Sequence, residues 1–263
     1  MLAVAAAAIV ATVGAVVGIT LATRDHPKRA TGPRPTFVAD PTASSAVQRD
    51  VRAALAAWPN GTARDLRLLA AEHPRSALVR LELGIALALG GDTSGAGDAW
   101  RAAKRAQPDS PSAVRADDLL HPQTPPGLPP FVATFTRPRT RAQVLLARGI
   151  GFQEALRPVS AARAFAAAAR LAPSDPEAQV AAAVGLYDKD RPALAFSRLG
   201  PLTRRFPHAQ TVRFHLGLLL IYLRQIPAAQ KELALAVADG PKTALAERAR
   251  QLLNAAKKAV GNA

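Results

Sequence analysis

The chain has 263 residues, a formal net charge of +15 and no cysteine. The missing thiols exclude disulfide scaffolds, thiolate metal centres and cysteine nucleophiles. The positive excess admits phosphate contacts, whether of nucleic acid or of anionic lipid.

Residues 1–23 carry no charged side chain and are rich in Ala, Val, Ile, Leu, Gly and Thr. The run is long enough to cross a bilayer as a helix, which predicts one N-terminal transmembrane helix. Nothing basic precedes it and Thr20-Leu21-Ala22 makes a poor cleavage site, so an uncleaved anchor is expected, with a cleaved signal as the alternative. Arg24, Lys28, Arg29 and Arg34 follow the run. The positive-inside bias would then keep the rest of a single-pass protein in the cytoplasm, an extracytoplasmic placement being the alternative. Gly14 and Gly18 stand four apart and would form a flat strip where two anchors could pair as a homodimer, although a segment of Ala, Gly and Val yields such pairs freely. Residues 24–44 contain Pro27, Pro33, Pro35 and Pro41 and predict an extended tether.

Beyond the tether a four-residue pattern recurs. A small residue is followed twelve positions later by alanine, four later by a bulky apolar residue and eight later by proline: Gly84, Ala96, Trp100, Pro108; Gly149, Ala161, Phe165, Pro173; Ala183, Ala195, Leu199, Pro207; Gly217, Ala229, Leu233, Pro241. From Pro173 the proline returns every 34 residues, and Pro74 precedes Pro108 by the same step. Small residues twelve apart let two antiparallel helices approach across a short turn, the bulky residue fills the space beside them, and the proline ends the second helix. Each hairpin alone leaves an apolar face bare, so neighbours must stack into a superhelix.

These quartets resemble the tetratricopeptide repeat family, in particular its membrane-anchored bacterial members. The resemblance covers units at about 43–76, 77–110, 142–175, 176–209 and 210–243 within a solenoid at 45–259, and it implies an all-α superhelical solenoid of antiparallel hairpins. The usual tryptophan of the first helix is replaced by Arg80, Leu145, Gln179 and Arg213, and the usual tyrosine near its end by Leu87, Phe152, Leu186 and Leu220. Residues 244–259 suit an amphipathic capping helix.

The stretch 109–141 occupies the slot of one hairpin without reading as one. Pro111 can start a short helix through Leu120, but Pro122, Pro125, Pro126, Gly127, Pro129 and Pro130 forbid a second. Phe131, Val132 and Phe135 then form an apolar cluster. It is either a loop covering the gap between hairpins or a built-in ligand lying in the groove.

Residues for catalysis do not assemble. There is no His-Glu-x-x-His pair, no Gly-x-Ser-x-Gly elbow and no phosphate loop, since Gly90 to Gly95 lacks the lysine and falls where a hairpin turn belongs. Asp117 and Asp118 are adjacent, point apart on a helix and are expected to be solvated. Asn60-Gly61-Thr62 reads as a turn before a helix beginning near Thr62. No enzyme, cofactor or metal is predicted.

In the family the first helices line the concave side, where a protein or peptide ligand is held. Carried over, the resemblance points to Ile85, Leu89, Ile150, Val184, Tyr187, Phe214, His215, Leu218, Ile221 and Tyr222 as the peptide-binding strip, apolar rather than charged. The Lys and Asn clamp by which some relatives hold a terminal carboxylate is absent. The expected function is a membrane-tethered, non-catalytic scaffold. Two other readings stay open: a cationic solenoid for nucleic acid or anionic lipid, with nucleic acid disfavoured because the arginines lack interleaved aromatics, and an extracytoplasmic assembly factor similar to those of cytochrome c biogenesis.

Overall fold

The computed structural model describes residues 33–261, with side chains through residue 255. Among the described residues there are twelve α-helices and no strand. They run α1 (Ser45–Ala56), α2 (Thr62–Glu72), α3 (Ala77–Leu89), α4 (Thr93–Ala106), α5 (Pro111–Leu120), α6 (Arg141–Glu154), α7 (Pro158–Leu171), α8 (Pro176–Val184), α9 (Ala193–Arg205), α10 (Gln210–Tyr222), α11 (Ile226–Asp239) and α12 (Ala244–Gly261).

Local chemistry sets these boundaries. Pro74, Pro108, Pro173, Pro207 and Pro241 each lie in the gap between a second helix and the helix that follows. Ser44, Ser76, Asp92, Ser110, Thr140 and Asp175 accept a backbone amide of the first turn they precede, which satisfies donors that the helix itself cannot. The fifteenth residue of three units closes the hairpin turn in the left-handed region: Gly91 (φ 87°), Leu156 (φ 53°) and Arg224 (φ 59°). The next amide then reaches back to the carbonyl five residues earlier, Asp92 to Leu87, Arg157 to Phe152 and Gln225 to Leu220, at 2.9, 2.8 and 2.9 Å.

Packing inside the hairpins follows the quartets. The Trp100 and Phe165 rings lie 2.3 Å from where a β-carbon on Gly84 or Gly149 would sit, and Leu233 lies 2.7 Å from that point on Gly217. The missing side chain is therefore the seat of the large one. Where the small residue is Ala183, the partner is the smaller Leu199, and both are buried.

Consecutive helices pack on one another, and each first helix also touches the next first helix, as α1 on α3, α3 on α5, α6 on α8, α8 on α10 and α10 on α12. The second helices α2, α4, α7, α9 and α11 do not touch one another. The first helices thus form the inner row of a solenoid and the second helices its outer row.

The row is interrupted once. No Cα of α1–α5 comes within 8 Å of a Cα of α6–α12, and the apolar core divides accordingly, one cluster around Leu55, Leu66, Leu78 and Trp100, the other around Phe131, Phe165, Leu199 and Phe214. Polar side chains bridge the break. The eight residues after the shortened α8 reach across it: Lys189 Nζ, on a side chain with no exposed surface, donates to Asp118 Oδ1 at 2.5 Å, and Asp190 Oδ2 accepts from Lys104 Nζ at 2.6 Å. Farther along, Arg157 and Ser160 hold both oxygens of Asp109.

Three expectations meet the structure differently. The predicted transmembrane helix, with Gly14 and Gly18, lies outside the described residues; among those described, no helix is long and apolar enough to cross a membrane. The tether expected to extend through residue 44 is docked on the repeats from Pro35 onward, because Pro35 and Asp40 are buried and Asp40 Oδ2 accepts the Ser112 amide at 3.0 Å. Asp117, expected in solvent, is buried against Lys104.

Candidate functional site

The inner row is where an extended ligand would lie, and most of the predicted strip is there. Its exposure is not what the sequence implies. Val184, Tyr187, Phe214, His215, Leu218 and Tyr222 are buried, and Ile85, Leu89, Ile150 and Ile221 are half-buried. Ile85 and Leu89 belong to α3 in the other half, whereas over α6, α8 and α10 the cover includes the stretch 121–140, which crosses their face as a strap.

Its course can be followed bond by bond. Gln123 accepts from Arg224 beyond the end of α10, and the Pro125 carbonyl accepts from Lys189 beyond the end of α8. The Phe131 amide donates to Oε1 of Gln153 near the end of α6 at 2.8 Å, and the Val132 amide to Nε2 of His215 in the middle of α10 at 2.9 Å. The Thr134 amide donates to Glu177 at the start of α8, and the Arg139 amide to Gln143 at the start of α6. The strap therefore runs antiparallel to the first helices. Phe131 is its anchor, stacked on His215 (5.1 Å, 20°) and edge-on to Phe165 (5.3 Å, 64°).

Burial tunes the ionisable groups under the strap. Desolvation lowers the His215 pKa to about 4, against a smaller opposing pull from the Thr211 backbone. Nδ1 faces the Thr211 carbonyl at 2.7 Å while Nε2 receives the Val132 proton, so the ring is neutral with its hydrogen on Nδ1. Desolvation likewise raises Glu177 above the usual carboxylate range, offset in part by the Thr134 amide. Tyr187 and Tyr222 meet edge to face at 5.6 Å, and burial raises both phenols, Tyr187 to about 12.

The first helices of the other half carry a second segment. The Phe37 ring lies under the Arg52 guanidinium of α1, 4.4 Å from the ring centroid; the Val38 amide approaches the Glu82 carboxyl of α3; and Asp40 meets Ser112 at the start of α5. This course is also antiparallel to the first helices. The two segments share a sequence: Pro35-Thr36-Phe37-Val38-Ala39 and Pro129-Pro130-Phe131-Val132-Ala133, with the first proline buried in each. Glu82 and His215 both stand sixth in their units, so in both grooves the valine amide is aimed at the same repeat position.

No protein-family model matches the chain, and no curated protein matches it at a significant level. The arrangement has to be read from its own chemistry.

Among the described residues one cluster offers metal-type ligands. Asp117, His121 and Asp190 bring ligand atoms within 4.8 Å of one another. The Lys104 ammonium bonds both carboxylates and already supplies their counter-cation, while His121 faces Asp117 Oδ1 through Nδ1 at 3.1 Å and Asp190 Oδ1 through Nε2 at 3.0 Å. These groups clamp the joint between the halves. Sequence reasoning missed them because Lys104 and Asp190 lie 86 residues apart; the four-residue step from Asp117 to His121 was the visible signal. The Pro-x-Phe-Val-Ala repetition was also visible, outside the hairpin register.

Proposed function

We propose that this chain is a non-catalytic scaffold of the tetratricopeptide-repeat type, tethered to a membrane through residues 1–23, whose inner row of helices holds an extended segment of a partner protein. The observation that supports this is the occupied groove. Side chains of the first helices take up the backbone amides of an extended strand and surround its phenylalanine, which is how a peptide receptor works.

Photo-crosslinking in native membranes tests the reading. A benzophenone amino acid at Ile85 or Leu89, on the half-buried inner face, should give one discrete adduct, whereas the same group at the exposed Leu171 of the outer row should give none. Equal labelling at both faces would overturn it.

One feature favours a second reading. Arg105, Arg170 and Arg204 occupy the same position in three units, near the ends of second helices, and all are exposed. Such a ridge suits anionic headgroups. Salt separates the two, because headgroup contacts collapse with ionic strength while adducts in an apolar groove persist.

A further inference from the structure

The two Pro-x-Phe-Val-Ala segments are held very differently. The strap is anchored at both ends by α5 and α6, its Phe131 is 2 % exposed, and His215 completes a hydrogen bond with Val132. The N-terminal segment leads into α1. Phe37 is only half-buried, Val38 is 45 % exposed, and among the described residues the fully buried Glu82 is faced by the Val38 amide alone, outside regular hydrogen-bond geometry. A buried carboxyl met by only one loosely placed amide is costly, so the groove over α1, α3 and α5 is incompletely satisfied by the chain's own segment.

From the shared sequence, the shared direction and the equivalent Glu82 and His215 positions, we propose that the groove over α1, α3 and α5 is a receptor for an extended Pro-x-Phe-Val-Ala-like segment of a partner protein, which displaces the chain's own residues 33–40. This rests on the scaffold reading above and adds the site and the ligand chemistry. The chain itself shows what such a groove accepts: a buried proline two residues before a phenylalanine, then a β-branched residue whose amide faces the sixth position of a first helix. The strap cannot serve as the exchangeable occupant, because Phe131 is built into the core with Phe165 and His215. The resident segment is intramolecular and competes at high effective concentration, so a ligand in trans binds weakly until the resident is loosened.

The test uses the full chain in detergent and a fluorescein-labelled peptide with the sequence of residues 127–136, followed by anisotropy. Phe37→Ala removes the resident anchor and should tighten peptide binding at least tenfold over the unaltered chain. Arg52→Ala, which takes away the side chain stacked over Phe37 and leaves the segment itself intact, guards against a folding artefact and should shift affinity the same way by a smaller factor. Replacing the peptide's first phenylalanine, the one matching Phe131, by alanine should abolish binding to both variants. Equal affinity for the unaltered chain and both folded variants, or no binding to either variant, would overturn the proposal. A discrete Ile85 adduct in membranes alongside a failed peptide experiment would keep the scaffold and discard this ligand; loss of both would discard the scaffold as well.

Discussion

The Val132 amide donates to Nε2 of His215 across 2.9 Å, and this bond requires the imidazole to be neutral. The His215 pKa lies near 4 in the fold against 6.5 in the open chain. Between those values the unfolded chain binds the extra proton, so the stability from this site is complete above pH 6.5 and is lost as the pH falls toward 4. A gap of that size is worth about 3 kcal/mol. Hydrogen exchange of α10 should accelerate over that interval, and His215→Asn should flatten the acid dependence.

Glu82 predicts the opposite trend in the other half. Desolvation raises its pKa from 4.5 to about 7, so its neutral form is favoured in the fold, and the associated stability is present below pH 4.5 and lost as the pH rises through 7. Glu82→Leu should raise the unfolding free energy at pH 8, by up to about 3 kcal/mol, and change it little near pH 4.5, as denaturant titrations at the two pH values would read.

Gly149→Ala should destabilise the chain by about 1 to 3 kcal/mol, because the new methyl would fall 2.3 Å from the Phe165 ring. The Ala183 and Leu199 pair shows the relaxed solution. Adding Phe165→Leu should recover part of the loss, and a denaturant double-mutant cycle should show that coupling.

Leu156 is 44 % exposed and holds a left-handed conformation that a side chain disfavours. Leu156→Gly should therefore stabilise the chain, by about 1 kcal/mol after the extra freedom of glycine in the unfolded state is subtracted. Gly91→Ala, at the equivalent turn, should cost a similar amount; thermal melts of the two variants would check both signs.

The joint can be probed through the absence of cysteine, which allows clean spin labelling at Leu68→Cys and Leu235→Cys on exposed sites of the two halves. The interlabel distance distribution should be narrow in the unaltered chain. Lys189→Met removes the ammonium that binds Asp118 and the Pro125 carbonyl and should broaden it. An unchanged width would mean that the halves are fixed by something other than these charges.

The hairpins were legible because they rest on volume: a missing side chain at Gly84 or Gly149 and a large one sixteen residues on leave one way to pack. The proline spacing likewise marked the gaps between units. The residues of the expected strip lie on the first helices, apart from Tyr187 just past α8, and most are more covered than expected, since periodicity shows which face is apolar and not what covers it. The prolines of the strap ruled out a helix there without showing that Phe131 would cross to His215, 84 residues away. Ion pairs such as Lys104 with Asp190 are single long-range contacts between residue types common on any surface, and no local pattern announces them.

The break between α5 and α6 leaves a rod whose two lengths are fastened by charge instead of grease. The more open Lys104–Asp190 pair is within reach of counter-ions in the medium, whereas the Lys189 side chain, with no exposed surface, is shielded from them. Of the two bonds at the joint, the open one is the part that added salt weakens first, while the enclosed one keeps its hold.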